Sequence, residues 1–251
     1  MRWDILGGDL ALKRRDSARN ELEPEDALGF VVTTFSSLES ELMEFLTFIP
    51  LLPENLSVSS PRLAPLLLDS CSLIDSVFRH TLGDDAARGL KAYASEDRLS
   101  LHEAATLLLS QPIQLLTPFL EWRSQAPRWW EAYNRLKHDR VKHYGAATLE
   151  NTVLALAGLH QVLVRSKDFL QHVAAAGWFV EQNEASMADL HAMPYTGVGS
   201  PPDLVAESRL FASSTRDSLV DWESDPPQIR LHEWDFSDRA KLLLFERWDR
   251  N

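Results

Sequence analysis

The residues in this chain best suited to chemistry are a histidine and the cations packed around it. Between Glu121 and Tyr144, the residues Arg123, Arg128, Arg135, Lys137, Arg140 and Lys142 oppose Glu121, Glu131 and Asp139, giving a local charge of +3 in a chain of net charge −12. That contrast marks a patch that attracts anions. His138 lies inside it, and like charges around an imidazole favour its neutral, proton-accepting form. Arginines beside a phosphodiester hold the phosphate and stabilise the charge that develops on it. These are the parts required for metal-independent RNA cleavage, in which a base activates the 2′-hydroxyl and cations neutralise the phosphorane. The same residues also make an ordinary solvated helix face.

The rest of the composition narrows the choice. With a net charge of −12, the surface as a whole is unsuited to phosphate-driven binding, so any nucleic-acid contact has to be local. The 251 residues are 45% hydrophobic and 25% charged, the profile of a soluble globular protein with a sizeable core. Cys71 is the single cysteine, which rules out an intrachain disulfide. The amino terminus has no apolar signal stretch, so the cytoplasm is the expected compartment. The apolar runs Leu63 to Leu68 and Val153 to Leu159 are far shorter than the ~20 residues a membrane span needs. His102-Glu103 and His232-Glu233 lack the second histidine of a zinc-protease helix, and His138 and His143 are five apart. Gly7-Gly8 is not part of a phosphate-binding loop, so neither a metal nor a cofactor is expected.

The elements that position the patch read as helices, and the fold class expected is all-α: a bundle of four or five main helices with a less regular carboxy-terminal extension. Ser36 and Glu39 have capping-box spacing ahead of a helix that stops before Pro50 and Pro53. Ser60 and Pro61 open a second helix with the apolar face Leu63, Leu66, Leu67, Cys71, Ile74, Val77 and Phe78, stopping at Gly83. Ser100 and Glu103 repeat the capping-box spacing before a short helix ending near Ser110. Two prolines between Gln111 and Trp122 suit an extended connection or a small hairpin.

A helix from about Pro127 to His143 follows, and then one from Thr148 to about Val173 that is apolar almost all round. Residues 1–29 form an amino-terminal segment, 30–176 the bundle and 177–251 the extension. The extension has a linker-like stretch at Tyr195 to Pro202, an acidic stretch at Asp221 to Pro227 and a last amphipathic piece at Phe236 to Trp248.

At about 100° per residue, the 127–143 helix carries Trp129, Trp130, Ala132, Tyr133, Leu136 and Val141 on one broad apolar arc. His138 lies nearly opposite the centre of that arc, and Asn134 sits at its edge one turn earlier. Lys137 falls inside the arc beside Trp130, where its ammonium must snorkel out or find a partner. Asp75, at the border of the 60–81 apolar face, offers an ion pair to Lys137 or Arg140. His160 shares a helix face with Val153, Leu156 and Val164, which suits a hydrogen-bonded core histidine; a role beside Asn134 is the sharper alternative.

Three segments taken in order carry a family resemblance: Leu66 to Asp75, Trp129 to Arg140 and Ala147 to Leu159. Over about residues 30 to 175 the chain resembles bacterial proteins of the HEPN superfamily. These are α-helical bundles, many of them ribonucleases of toxin–antitoxin, phage-defence and CRISPR systems. The match is most specific from Asn134 to Arg140. The superfamily's ribonuclease motif is an arginine, four to six residues and a histidine, often with a polar residue straight after the arginine. Asn134 and His138 match the polar residue and the histidine, and Tyr133 stands at the arginine position.

The resemblance implies a metal-independent endoribonuclease. His138 would be its general base, Asn134 would orient it, and Arg135, Lys137, Arg140 and Lys142 would contact RNA phosphate, with Asp75, Tyr133 and His160 in support. It implies a homodimer, which the large apolar surface of the Trp129 helix also suggests, and a protein partner such as an antitoxin. A non-catalytic dimerisation or partner-binding module is the alternative.

Overall fold

The computed structural model describes residues 24–82, 89–110, 113–179, 204–216, 220–221 and 228–229. Gly83, the stretch from Tyr195 to Pro202, most of the acidic stretch, the Phe236 to Trp248 piece and His232-Glu233 lie outside the described residues.

Two long helices form the centre. Helices α2 (Leu63–Leu82) and α6 (Leu149–Arg165) pack along each other. α6 is buried on nearly every side, from Thr152 and Val153 through Arg165. Thr148 caps it by accepting the Asn151 N–H at 3.2 Å, a local signal that fixes where the helix begins. Gly158 lets it approach its neighbours closely: a Cβ there would lie 3.3 Å from the Phe119 ring and 3.5 Å from Pro118. α4 (Arg128–His138) packs against both central helices, and α1 (Pro24–Leu46) packs against α2, α6 and the short α7 (Leu170–Ala175).

α1 begins well before the Ser36 start that the capping-box spacing suggests. Thr33, Thr34, Ser36, Ser37 and Ser40 each donate a hydroxyl to the carbonyl four residues back, which lets them lie inside a helix without breaking it. Glu39 is used elsewhere, as described below.

The all-α expectation is wrong. A four-stranded antiparallel sheet lies against α6, in the order β2-β1-β4-β3. Its members are β1 (Thr106–Leu108), β2 (Gln114–Leu116), β3 (Val205–Glu207) and β4 (Phe211–Ser214). Leu107 pairs with Leu115 on one side and with Ala212 on the other, and Ala206 pairs with Ser213. β5 (Val220–Asp221) and β6 (Gln228–Ile229) form a separate two-stranded ladder.

The physical reasons for the miss are plain. Every residue of β1, β2 and β4 is buried, so no apolar and polar alternation marks them. β1 finds its second partner about a hundred residues later, where no local pattern can point to it. The helix expected after Ser100 is a turn: α3 (Leu90–Glu96) ends at Asp97, whose carboxylate accepts the Leu101 N–H at 2.8 Å and the His102 N–H at 3.3 Å. The hairpin reading of the proline-bearing stretch agrees with β2, and the segment after Gly177 supplies β3 and β4 to the same sheet. Gly177, at φ +72°, ends α7 with paired bonds from Gly177 N–H to Ala174 and from Trp178 N–H to Val173. That turn carries Trp178 into the core.

Candidate nucleic-acid interface

The apolar arc of α4 forms as read, but it is consumed inside the chain. Trp129, Trp130, Ala132, Tyr133 and Leu136 are all buried. The Trp129 indole donates to the Pro118 carbonyl at 2.9 Å, and its ring meets Phe119 edge-on at 5.4 Å. The surplus apolar surface on which a homodimer was expected is therefore covered by α2, α6 and the Phe119 segment.

The helix does not run to His143. It breaks at Asp139, which lies in an extended conformation (φ −151°, ψ 91°) and accepts the Lys142 N–H on Oδ1 at 3.0 Å, starting the separate turn α5 (Arg140–His143). A 3₁₀ turn, Tyr144–Ala146, then packs back against α4. Because of the break Val141 leaves the arc, contrary to the helical-wheel reading, and is 90% exposed.

The resulting ridge is basic and open. Arg135, Lys137, His138, Arg140 and Lys142 are exposed, Asn134 is half-buried, and Tyr133 lies beneath them. Arg135 makes a loose ion pair with Glu131 at 3.9 Å, worth little in water. Lys137 resolves its anomaly by snorkelling, with its ammonium 5.3 Å from the centre of the Tyr133 ring. The side chains of Asn134, His138, Arg140 and Lys142 make no hydrogen bond or ion pair among the described residues. Asp75 reaches neither Lys137 nor Arg140. It pairs with Arg79 at 2.7 Å, because the residue one turn along its own helix is the nearer cation.

His160 is also not part of this ridge. It is fully buried on α6, with Nδ1 3.0 Å from the Ser213 hydroxyl of β4, which in turn lies 2.9 Å from the Thr106 hydroxyl of β1. Its ring stacks on Trp178 at 5.2 Å and touches Phe35 and Phe211. Burial pushes its pKa down to about 3, so the ring is neutral and joins helix to sheet. Cys71 is buried too, and burial raises its thiol well above the usual range, so it is no nucleophile.

Two further clusters escaped sequence reasoning. The Asp97 side chain is fully buried. Besides the two backbone N–H groups it binds His102 Nδ1, with an Arg123 nitrogen 3.5 Å from the same oxygen, while His102 Nε2 lies 3.0 Å from Glu103. These contacts satisfy one buried carboxylate and hold a turn whose non-glycine residues Asp97 and Ser100 both have positive φ. The aspartate five residues before the histidine was the available signal.

The second cluster centres on buried Glu39. Its Oε1 accepts from the Ser208 hydroxyl at 2.6 Å and the Leu210 N–H at 2.8 Å, tying α1 to the β3–β4 turn. Burial raises its carboxyl pKa, and the bonds from Ser208, Leu210 and Arg209 oppose the rise. It lines an open groove of about 520 Å³ together with Trp178 and Arg209. Among the described residues no group of three or more His, Cys, Asp or Glu side chains could hold a metal ion. Nor is any helix among them long and apolar enough to cross a membrane.

Comparison of the chain with protein-family profiles, curated proteins and solved structures returns no match.

Proposed function

We propose that the α4–α5 ridge is a local RNA-contacting face and that the chain acts on RNA in the cytoplasm as a binding protein of HEPN-like type. The observation that carries this reading is the set of exposed cations Lys137, Arg140 and Lys142, beside exposed His138, in a chain of net charge −12. Cations that make no ion pair among the described residues of an acidic protein are poised to exchange their counterions for phosphates. Arg135, weakly held by Glu131, is recruited by the same ligand.

Binding without cleavage is the better account, because the motif's arginine position is taken by buried Tyr133 and no group among the described residues orients the His138 imidazole. The ribonuclease reading draws on Asn134 and His138, one turn apart on the accessible side of α4. A homodimer would be required to juxtapose two such pairs, and an antitoxin-like partner would cover the ridge.

The experiment is incubation of purified wild type and His138→Ala with mixed RNA in chelator, scored both for retention on a filter and for products ending in 2′,3′-cyclic phosphate. The expected result is salt-sensitive retention by both proteins and no cleavage that depends on His138. Cyclic-phosphate products from wild type alone, reduced ~10²–10⁴-fold in the variant, would establish the nuclease instead. Failure of RNA to be retained at any salt concentration would remove the reading.

A further inference from the structure

The ridge carries two side chains that charge does not explain. Nearly every other large apolar residue of this region is buried, including Trp129, Trp130, Tyr133 and Leu136, yet Val141 is 90% exposed and Tyr144 57% exposed. Tyr144 makes no hydrogen bond or ring contact among the described residues, so packing does not account for it. The exposure is built in: Asp139 breaks the helix and caps α5, which swings the following residues off the apolar arc. A Cβ placed on Gly145 would meet nothing within 4 Å, so the space beside Tyr144 is open. Arg140 and Lys142 precede the ring and are themselves exposed.

Resting on the RNA reading of this ridge, we infer that Arg140 to Gly145 is a nucleobase platform. The Tyr144 ring stacks an unpaired base, Val141 covers the edge of the base or its ribose, and Arg140 and Lys142 hold the flanking phosphates. The ligand is therefore single-stranded RNA rather than duplex. An unpaired base offers a π face to an aromatic side chain, and every base can use it regardless of sequence. In a duplex those faces are already stacked, and an A-form helix presents phosphates, ribose hydroxyls and base edges, for which an exposed phenol has little use. A bilayer surface is the less suitable partner, because α5 has only four residues and offers Val141 alone, with Tyr144 in the turn after it, too little for an amphipathic helix to bury.

The test uses the full chain and fluorescence anisotropy. The probes are a labelled, unstructured 12-nucleotide RNA, the same strand annealed to its complement, and vesicles containing phosphatidylserine. Wild type should bind the single strand roughly tenfold or more tighter than the duplex. Tyr144→Ala should erase that preference while leaving the salt slope unchanged, and Tyr144→Phe should retain it. Circular dichroism of both variants should match wild type, since the ring fills no core space. Equal affinity for the two RNA forms, unaffected by Tyr144→Ala, would overturn the platform while leaving the RNA-contacting ridge in place. Binding to neither RNA form would overturn both, and binding to vesicles alone would assign the ridge to membranes.

Discussion

His138 and His160 are the same residue type on helices that pack together, and they are in opposite physical situations. His160 sits between α6 and the sheet, uncharged, with Ser213 on one nitrogen and Trp178 on its face. His138 stands in water among cations and has no bonding partner among the described residues. The buried seam is held by packing and a network of two hydroxyls and a ring that has little tolerance for change. The ridge is held by the helix beneath it, so its side chains can change with almost no effect on the fold. What the pair teaches is that a histidine's contribution is set by how many groups depend on it, not by the reactivity of imidazole.

The largest effect should come from deleting each ring in turn. His160→Ala removes a fully buried side chain, leaves a cavity beside Trp178, Phe35 and Phe211, and deprives the Ser213 hydroxyl of its ring partner. It should cost about 3 kcal/mol in denaturant unfolding. His138→Ala should cost less than about 0.5 kcal/mol. Comparable losses for the two variants would break the contrast.

A second way to sharpen it is through acid. In the unfolded chain the His160 imidazole protonates near 6.5, whereas in the fold burial delays protonation to about 3. The unfolded state therefore binds more protons between those values. Stability is full above about pH 6.5 and is lost as the pH falls toward 3, by up to ~1.4 kcal/mol per pH unit. Glu39 acts with the opposite sign: its raised carboxyl contributes most below the ordinary value and loses that contribution as pH rises through its folded one. Because Glu39 is present in both proteins, its contribution cancels in the comparison, and urea titrations from pH 7 to 5 should show a shallower decline for His160→Leu than for wild type. Parallel slopes would mean that the seam ring protonates in the fold.

The smallest effect on stability, and the clearest on binding, belongs to the ridge. Lys142→Gln and Arg140→Gln should leave the unfolding midpoint nearly unchanged. Each should reduce the slope of log affinity for RNA against log salt by roughly 0.7–0.9. A variant that unfolds early, or binds with an unaltered salt slope, would show that the cation is structural.

The ridge was legible before the structure because its signals are local. Trp129, Trp130, Tyr133 and Leu136 repeat at helical spacing, and the cations fill the remaining positions. Face position left two readings each for Lys137 and His160, and the structure selects snorkelling for the first and the core for the second. Three things were not legible. Asp139 as a helix break depends on a cap to Lys142 that competes with a continuous apolar pattern through Val141. The Asp75 ion pair depends on which cation is nearest in space, and Arg79 lies one turn away on the same helix. The sheet depends on pairings between segments far apart in the chain, and its buried strands carry no alternation. A Ser-x-x-Glu spacing, read twice as a helix start, proved to be helix interior at Ser36 and a turn at Ser100.

That long-range pairing also fixes an order of events during synthesis. Thr106 and Ser213 are 107 residues apart. As the chain leaves the ribosome, β1 and β2 can pair as a hairpin at once, but the other edge of β1 has to wait until α4, α6 and α7 have been made. Glu39 waits longer still, since Ser208 lies 169 residues beyond it. Closure of such distant contacts is the slow part of folding, and an open strand edge is where nascent chains stick to one another. The β3–β4 hairpin is therefore the late latch of this molecule: a chain truncated just before Leu204 would keep its helices and ridge yet display an unpaired β1 edge and an imidazole with no hydroxyl from Ser213 to meet.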